Sequence, residues 1–221
     1  MTERFTVLFV CVGNVCRSPL AEVVLRARLD ERLGDLSDAV TVESAGIKAL
    51  VGSPVDPMVV SELERLGLPT PSGTARQLTS DMVKRADLVL TASKDLRSDV
   101  LEKTPSALRR TFTIREFAAL VNGAKSASPK ALVAEAVRRR SAANVRDYDI
   151  ADPRGRGSRA YRKAADLIAV SVSASIGHAL AAAVKSESDN AEIDDPPPAI
   201  PRSSGPTSSN PNRPRAVEDS A

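Results

Sequence analysis

The segment Cys11-Val12-Gly13-Asn14-Val15-Cys16-Arg17-Ser18 sets a thiol six residues ahead of an arginine, with glycine and asparagine between them. A thiolate is a strong nucleophile, and the planar fork of a guanidinium grips two oxygens of a tetrahedral oxyanion. With 23 arginines in the chain, the bare spacing is weak evidence. Context strengthens it. Gly13 and Asn14 tolerate the left-handed conformations that a tight concave loop demands. A loop of this kind feeding a helix N-terminus turns successive backbone N–H groups inward, and such a nest binds phosphate. The expected roles are Cys11 as nucleophile, Arg17 as anion ligand, and Val12, Gly13, Asn14, Val15, Cys16 and Ser18 as the lining that holds the oxyanion. Ser18 has two candidate jobs, capping the following helix or donating to the Cys11 sulfur. Cys16 has two as well: a small buried apolar group, or a second thiol that traps oxidised Cys11 as a disulfide.

A loop like this must be held by a strand before it and a helix after it. Phe5–Val10 is short and continuously apolar, as a strand buried on both faces of a parallel sheet would be. Ser18-Pro19 reads as N-cap and first helical residue, with Leu20, Val23, Val24, Ala27 and Leu33 as the apolar face behind it. Ala39–Val42 is a second expected strand, running into Glu43-Ser44-Ala45-Gly46. Asp56-Pro57 opens a helix that stops at Gly67. A short helix over Thr79–Ala86, a strand over Leu88–Thr91, a helix over Lys94–Lys103 and a strand over Thr111–Ile114 running into Arg115–Val121 continue the alternation. Ala131–Arg140 reads as helix, with Arg138, Arg139 and Arg140 as a solvated basic end. Arg159–Val184, with Leu167, Ile168, Val172 and Ile176 as a buried stripe, closes the domain. The expected fold is α/β, a four-stranded parallel sheet flanked by helices.

Composition bounds the rest. The chain has 221 residues and 42% hydrophobic content, enough for one sizeable core. After Ser186, Pro, Ser, Asp and Asn dominate, so 1–185 reads as the folded domain and 186–221 as a disordered tail. Net charge is only +3 and aromatics are 3%, which argues against nucleic-acid binding through stacked bases. Two Cys and one His cannot fill a four-ligand structural metal site, and no cofactor is implied. No apolar run of membrane-spanning length is expected, and Met-Thr-Glu-Arg leads straight into a strand pattern. A reducing cytoplasm and no membrane insertion follow as expectations.

Val7-Leu8-Phe9-Val10-Cys11-Val12-Gly13-Asn14-Val15-Cys16-Arg17-Ser18-Pro19 resembles the phosphate loop of the low-molecular-weight protein tyrosine phosphatases. Ser44-Ala45-Gly46, Ala75-Arg76-Gln77-Leu78-Thr79, Ala86-Asp87-Leu88-Val89-Leu90 and Asp152-Pro153 extend the resemblance over most of residues 5–185. It implies a thiol-phosphate intermediate, no metal, phosphate or related oxyanions at the site, a phosphotyrosine protein as substrate and an Asp as general acid. Of three Asp-Pro pairs, Asp56-Pro57 is accounted for as a helix start and Asp195-Pro196 lies in the tail. Asp152-Pro153 matches the family's position. Pro153 would stiffen that loop and keep its own nitrogen from donating to the carboxylate.

The sequence departs from the family pattern at three places. Arg154 stands where an aromatic usually follows the Asp-Pro pair, Gly73 where a His often supports the loop, and Thr91-Ala92-Ser93 where a Met-Asp stretch is usual. Arsenate reduction with an external thiol is one alternative activity, since both Cys lie inside the loop and no distant pair exists to relay oxidation. A phosphoprotein-binding module with lost catalysis is another. Val15 resembles the Ile of tyrosine-directed members, whereas Thr at that position goes with phosphoarginine activity.

Overall fold

Four consecutive residues, Val7 to Val10, are fully buried, because the strand that carries them is covered on both faces. The computed structural model describes residues 4–141 and 147–194. Among them, β1 (Phe5–Cys11), β2 (Val40–Gly46), β3 (Leu88–Thr91) and β4 (Thr111–Thr113) form one parallel sheet in the order β2-β1-β3-β4. Alternation sorts the side chains. Val7, Phe9, Leu88, Leu90 and Phe112 join one core cluster with Leu20 and Val24, Phe117 and Ile168. Leu8, Val10 and Val89 face the other way, onto Val83, Val100 and Ala107.

The helices are α1 (Arg17–Leu33), α2 (Pro57–Arg65), α3 (Ser80–Arg85), α4 (Lys94–Lys103), α5 (Ile114–Val121), α6 (Pro129–Arg139), α7 (Ser158–Ala169) and α8 (His178–Asp194). Their starts follow local chemistry. Asp56, Thr79, Ser93, Thr113 and Ser128 each accept a backbone N–H from the helix they open. Because the chain leaves β1 for β2 on one side and later reaches β3 on the other, the carboxyl end of β1 is the sheet's switch point. A crevice outside the strand ends opens at such points, and Cys11 sits there.

Several expectations need correction. α1 starts at Arg17, one residue before the expected cap, and no side chain caps it; the Ser18 hydroxyl is turned into the loop instead. The final helix is not uniform, since Val170–Gly177 is a π-helical stretch between α7 and α8. α8 continues to Asp194, past the expected boundary at Ser186. Nonetheless none of its residues 185–191 is buried, and the rest of the expected tail, 195–221, lies outside the described residues. Residues 158–191 do contain a window apolar enough, at mean hydropathy 1.9, to cross a membrane by length and composition. More than half of that window is buried in the protein, where Ile168, Val172, Ile176 and Leu180 join the main core. Nor is the basic end of α6 simply solvated. Arg140 lies 4.0 Å from the Phe112 ring centre, donates to Glu116 at 2.9 Å and to the Thr111 carbonyl at 2.7 Å, and so ties α6 to β4 and α5.

Candidate active site

The loop after β1 is shaped by what its carbonyls do. Those of Cys11, Val12, Gly13 and Val15 accept from Ile47, Lys48, Leu50 and Asp56 at 2.9–3.0 Å, all on the outside of the loop. The N–H groups of Val12, Gly13, Val15, Cys16 and Arg17 find no acceptor among the described residues. Carbonyls outward and amides free is the arrangement an anion nest requires. Gly46 makes it possible: a Cβ there would lie 2.5 Å from the Val12 carbonyl oxygen and 2.9 Å from the Asn14 nitrogen.

Asn14 holds the bend. It is the one non-glycine residue with positive φ among those described, at 55°. Its Nδ2 donates to Ser18 Oγ at 3.0 Å and to Ser44 Oγ at 2.9 Å, and its Oδ1 accepts from the Arg76 nitrogen at 2.7 Å. Support for the loop therefore comes from β2 and from the Ala75–Gln77 stretch, while Gly73 has open space where its side chain would be. Ser18 Oγ lies 2.9 Å from Cys11 Sγ, and the Asn14 N–H donates to the same sulfur at 3.3 Å. Beyond accepting from Asn14, the Ser18 hydroxyl lies within reach of both the Cys11 sulfur at 2.9 Å and the Ala45 carbonyl, to which it donates at 3.4 Å.

Arg17 is buried; its Nη1 donates to the Ile150 carbonyl at 2.9 Å and its Nη2 to Asp152 Oδ2 at 2.6 Å, while Nε is buried with no partner among the described residues. Asp152 is 44% exposed at its side chain. Pro153 withholds its nitrogen, but the Arg154 N–H donates to Asp152 Oδ1 at 3.2 Å, so the carboxylate keeps a backbone donor after all. The neighbouring acids are engaged elsewhere: Asp147 pairs with Arg115 at 2.5 Å, and Asp149 accepts the Lys94 N–H at 2.8 Å.

Cys11, Val12, Gly13, Val15, Cys16, Arg17 and Asp152 line one pocket of about 60 Å³, with Lys48 and Arg154 at its mouth. Seven of the nine expected site residues thus meet at one place. Asn14 and Ser18 are behind the loop, positioning it rather than lining the pocket. Sequence reading missed the support beneath Cys16. Its thiol contacts Asp56 Oδ2 at 3.8 Å, and Tyr161 on α7 donates to that same oxygen at 2.8 Å. Burial first, then the Asp56 carboxylate, push the Cys16 thiol up to about 12. No local pattern joins positions 16, 56 and 161, although Asp56 was visible as a helix cap. Among the described residues no group of three or more His, Cys, Asp or Glu is arranged to hold a metal.

The family model described as "Low molecular weight phosphotyrosine protein phosphatase" matches residues 6–130, more than half of the chain. The chain belongs to that family. It belongs with it to the enzyme class of the protein-tyrosine phosphatases. A low-molecular-weight phosphatase relative described as the probable protein-tyrosine-phosphatase EpsP of Ralstonia solanacearum is 38% identical over 111 residues, covering 50% of this chain and 71% of the relative. The YwlE arginine phosphatase from Geobacillus stearothermophilus superposes with a TM-score of 0.60 at 27% identity, over 84% of this chain and 96% of that one. A low-molecular-weight phosphatase structure from T. tengcongensis gives 0.58 at 27% identity, over 76% and 95%. The family match ends before Asp152.

Proposed function

We propose that this phosphatase hydrolyses phosphotyrosine in proteins, and small aryl phosphates, through a phosphate ester on Cys11. The observation that carries the reading is the convergence of a sulfur hydrogen-bonded to Ser18 and to the Asn14 N–H, five free N–H groups, a buried arginine and a carboxyl on one small pocket. The three non-bridging oxygens of the phosphate are bound by the inward N–H groups and by Arg17. Arg17 must then release Asp152 Oδ2, because a phosphate competes for the same Nη2. The Cys11 thiolate attacks phosphorus as the bond to the phenolic oxygen breaks. Freed from Arg17, the Asp152 carboxylate takes up a proton from solvent and gives it to that oxygen, so the phenol leaves neutral. In the second half Asp152 takes a proton from water, the resulting hydroxide attacks phosphorus, and inorganic phosphate and the Cys11 thiolate are released.

Val15 and the cationic mouth of Lys48 and Arg154 favour an aryl ester over the positively charged guanidinium of phosphoarginine. Arsenate reduction would need a thiol from outside the chain, because both cysteines belong to the loop. Two free thiols suit a reducing, cytoplasmic setting. Asp152→Asn is expected to slow turnover of aryl phosphates with poor leaving groups by about 10²–10⁴-fold and of activated ones far less, since only the former need the proton. Steady-state rates across a leaving-group series measure this. Equal losses across the series, or the same pattern from Asp149→Asn, would place the acid elsewhere.

A further inference from the structure

Beside the pocket, and sharing Asp152 with it, runs a second depression of about 390 Å³. Its floor is small and apolar, formed by Ala160, Ala164 and Leu167, and its rim carries Arg156 and Lys163 together with Ala151 and the carboxylates Asp147, Asp149 and Asp152. Both rim cations are exposed, as are Lys48 and Arg154 at the pocket mouth. Each of the three carboxylates in the lining has a partner. Asp152 pairs with Arg17, Asp147 pairs with Arg115 and also sees Lys163, and Asp149 accepts a backbone N–H. Lys48, Arg154 and Arg156 have no ion-pair partner among the described residues. Counting the six cations Arg17, Lys48, Arg115, Arg154, Arg156 and Lys163 against three carboxylates, this face holds as much excess positive charge as the whole chain's +3.

We infer that this groove binds acidic residues flanking the phosphorylated tyrosine of a protein substrate. The inference rests on the phosphotyrosine reading above and adds the sequence context that the enzyme selects. A peptide whose phosphate is seated on the loop must leave the pocket past Asp152, and the groove begins there. The apolar floor accepts an extended main chain and small side chains, while carboxylates or further phosphates reach the rim cations. Unpaired exposed cations act at range and also raise the encounter rate of an anionic partner.

The test compares three phosphotyrosyl peptides of equal length, with Asp and Glu, with Asn and Gln, or with Lys at the flanking positions, beside a small aryl phosphate. The acidic peptide is expected to exceed the neutral one by about tenfold in kcat/KM at low ionic strength, the sum of several exposed charge contacts, and to lose most of that lead in high salt. In the double variant Arg156→Gln, Lys163→Gln the lead should shrink to about twofold, with turnover of the small aryl phosphate unchanged. Equal kcat/KM for the three peptides would overturn the groove assignment alone, as would a full preference surviving in the double variant. Failure of all three peptides beside an active aryl phosphate would overturn the protein-substrate reading and this inference with it.

Discussion

Cys16 shows how a buried thiol in the phosphate loop is put to structural use. Its contact with Asp56, which also receives the Tyr161 hydroxyl, links the loop to α2 and α7. The folded protein raises the Cys16 thiol from its ordinary 9.0 to about 12, and burial together with the bond to Asp56 raises the Tyr161 phenol as well. Both groups are neutral acids held protonated by folding. Their contribution to stability is therefore complete below about pH 9 and is lost as the pH climbs towards 12, because the unfolded chain ionises first. Urea midpoints are expected to fall as the pH rises above 9, and Cys16→Ser or Tyr161→Phe should flatten that decline. A wild-type midpoint constant between pH 8 and 10.5 would show that the cluster carries no such linkage. The same shift predicts slow trapping of oxidised Cys11 by Cys16 at neutral pH, since the attacking form is the thiolate.

At the scale of elements, the junction of β1, its loop and β2 is where local geometry decides function. Gly46→Ala would drive a methyl into the Val12 carbonyl and the Asn14 nitrogen. We expect that variant to lose at least about tenfold in phosphate affinity and in turnover, because amides moved by even half an ångström no longer converge. Near-normal phosphate affinity by titration calorimetry would contradict this account of the loop. The sheet was legible in the sequence because Phe5–Val10 and Leu88–Thr91 are apolar without interruption, which marks strands covered on both sides. The loop was legible because its nucleophile, its glycine and its arginine are contiguous. What escaped was set by distance along the chain. Ser18-Pro19 reads locally as a helix start, but the hydroxyl is taken by a sulfur seven residues back and an amide at Asn14. The partners of Asn14 lie at Ser44 and Arg76, and Arg140 leaves its solvated-end pattern for a ring and a carboxylate on other elements. No periodicity reports contacts of that kind.

For the molecule as a whole, we propose that the catalytic domain ends near Lys185. α8 continues to Asp194, yet none of residues 185–191 is buried. Removing 186–221 is therefore expected to leave the melting temperature within about 2 °C and turnover of small aryl phosphates unchanged, since exposed substitutions and truncations away from the core alter stability little. A drop of many degrees would move the boundary outward. The central claim is narrower: one sulfur does the chemistry, and the surrounding amides and arginine do the binding. Its most direct measurement is the steady-state turnover of an aryl phosphate by Cys11→Ser, made on protein whose affinity for inorganic phosphate has been measured by titration calorimetry. The account predicts phosphate affinity within about tenfold of wild type, because the loop amides and Arg17 remain, and a turnover loss of at least about 10³-fold, because the nucleophile is gone. Turnover above a few percent of wild type, on the order of 1–2 kcal/mol of lost transition-state stabilisation, would contradict the assignment of Cys11.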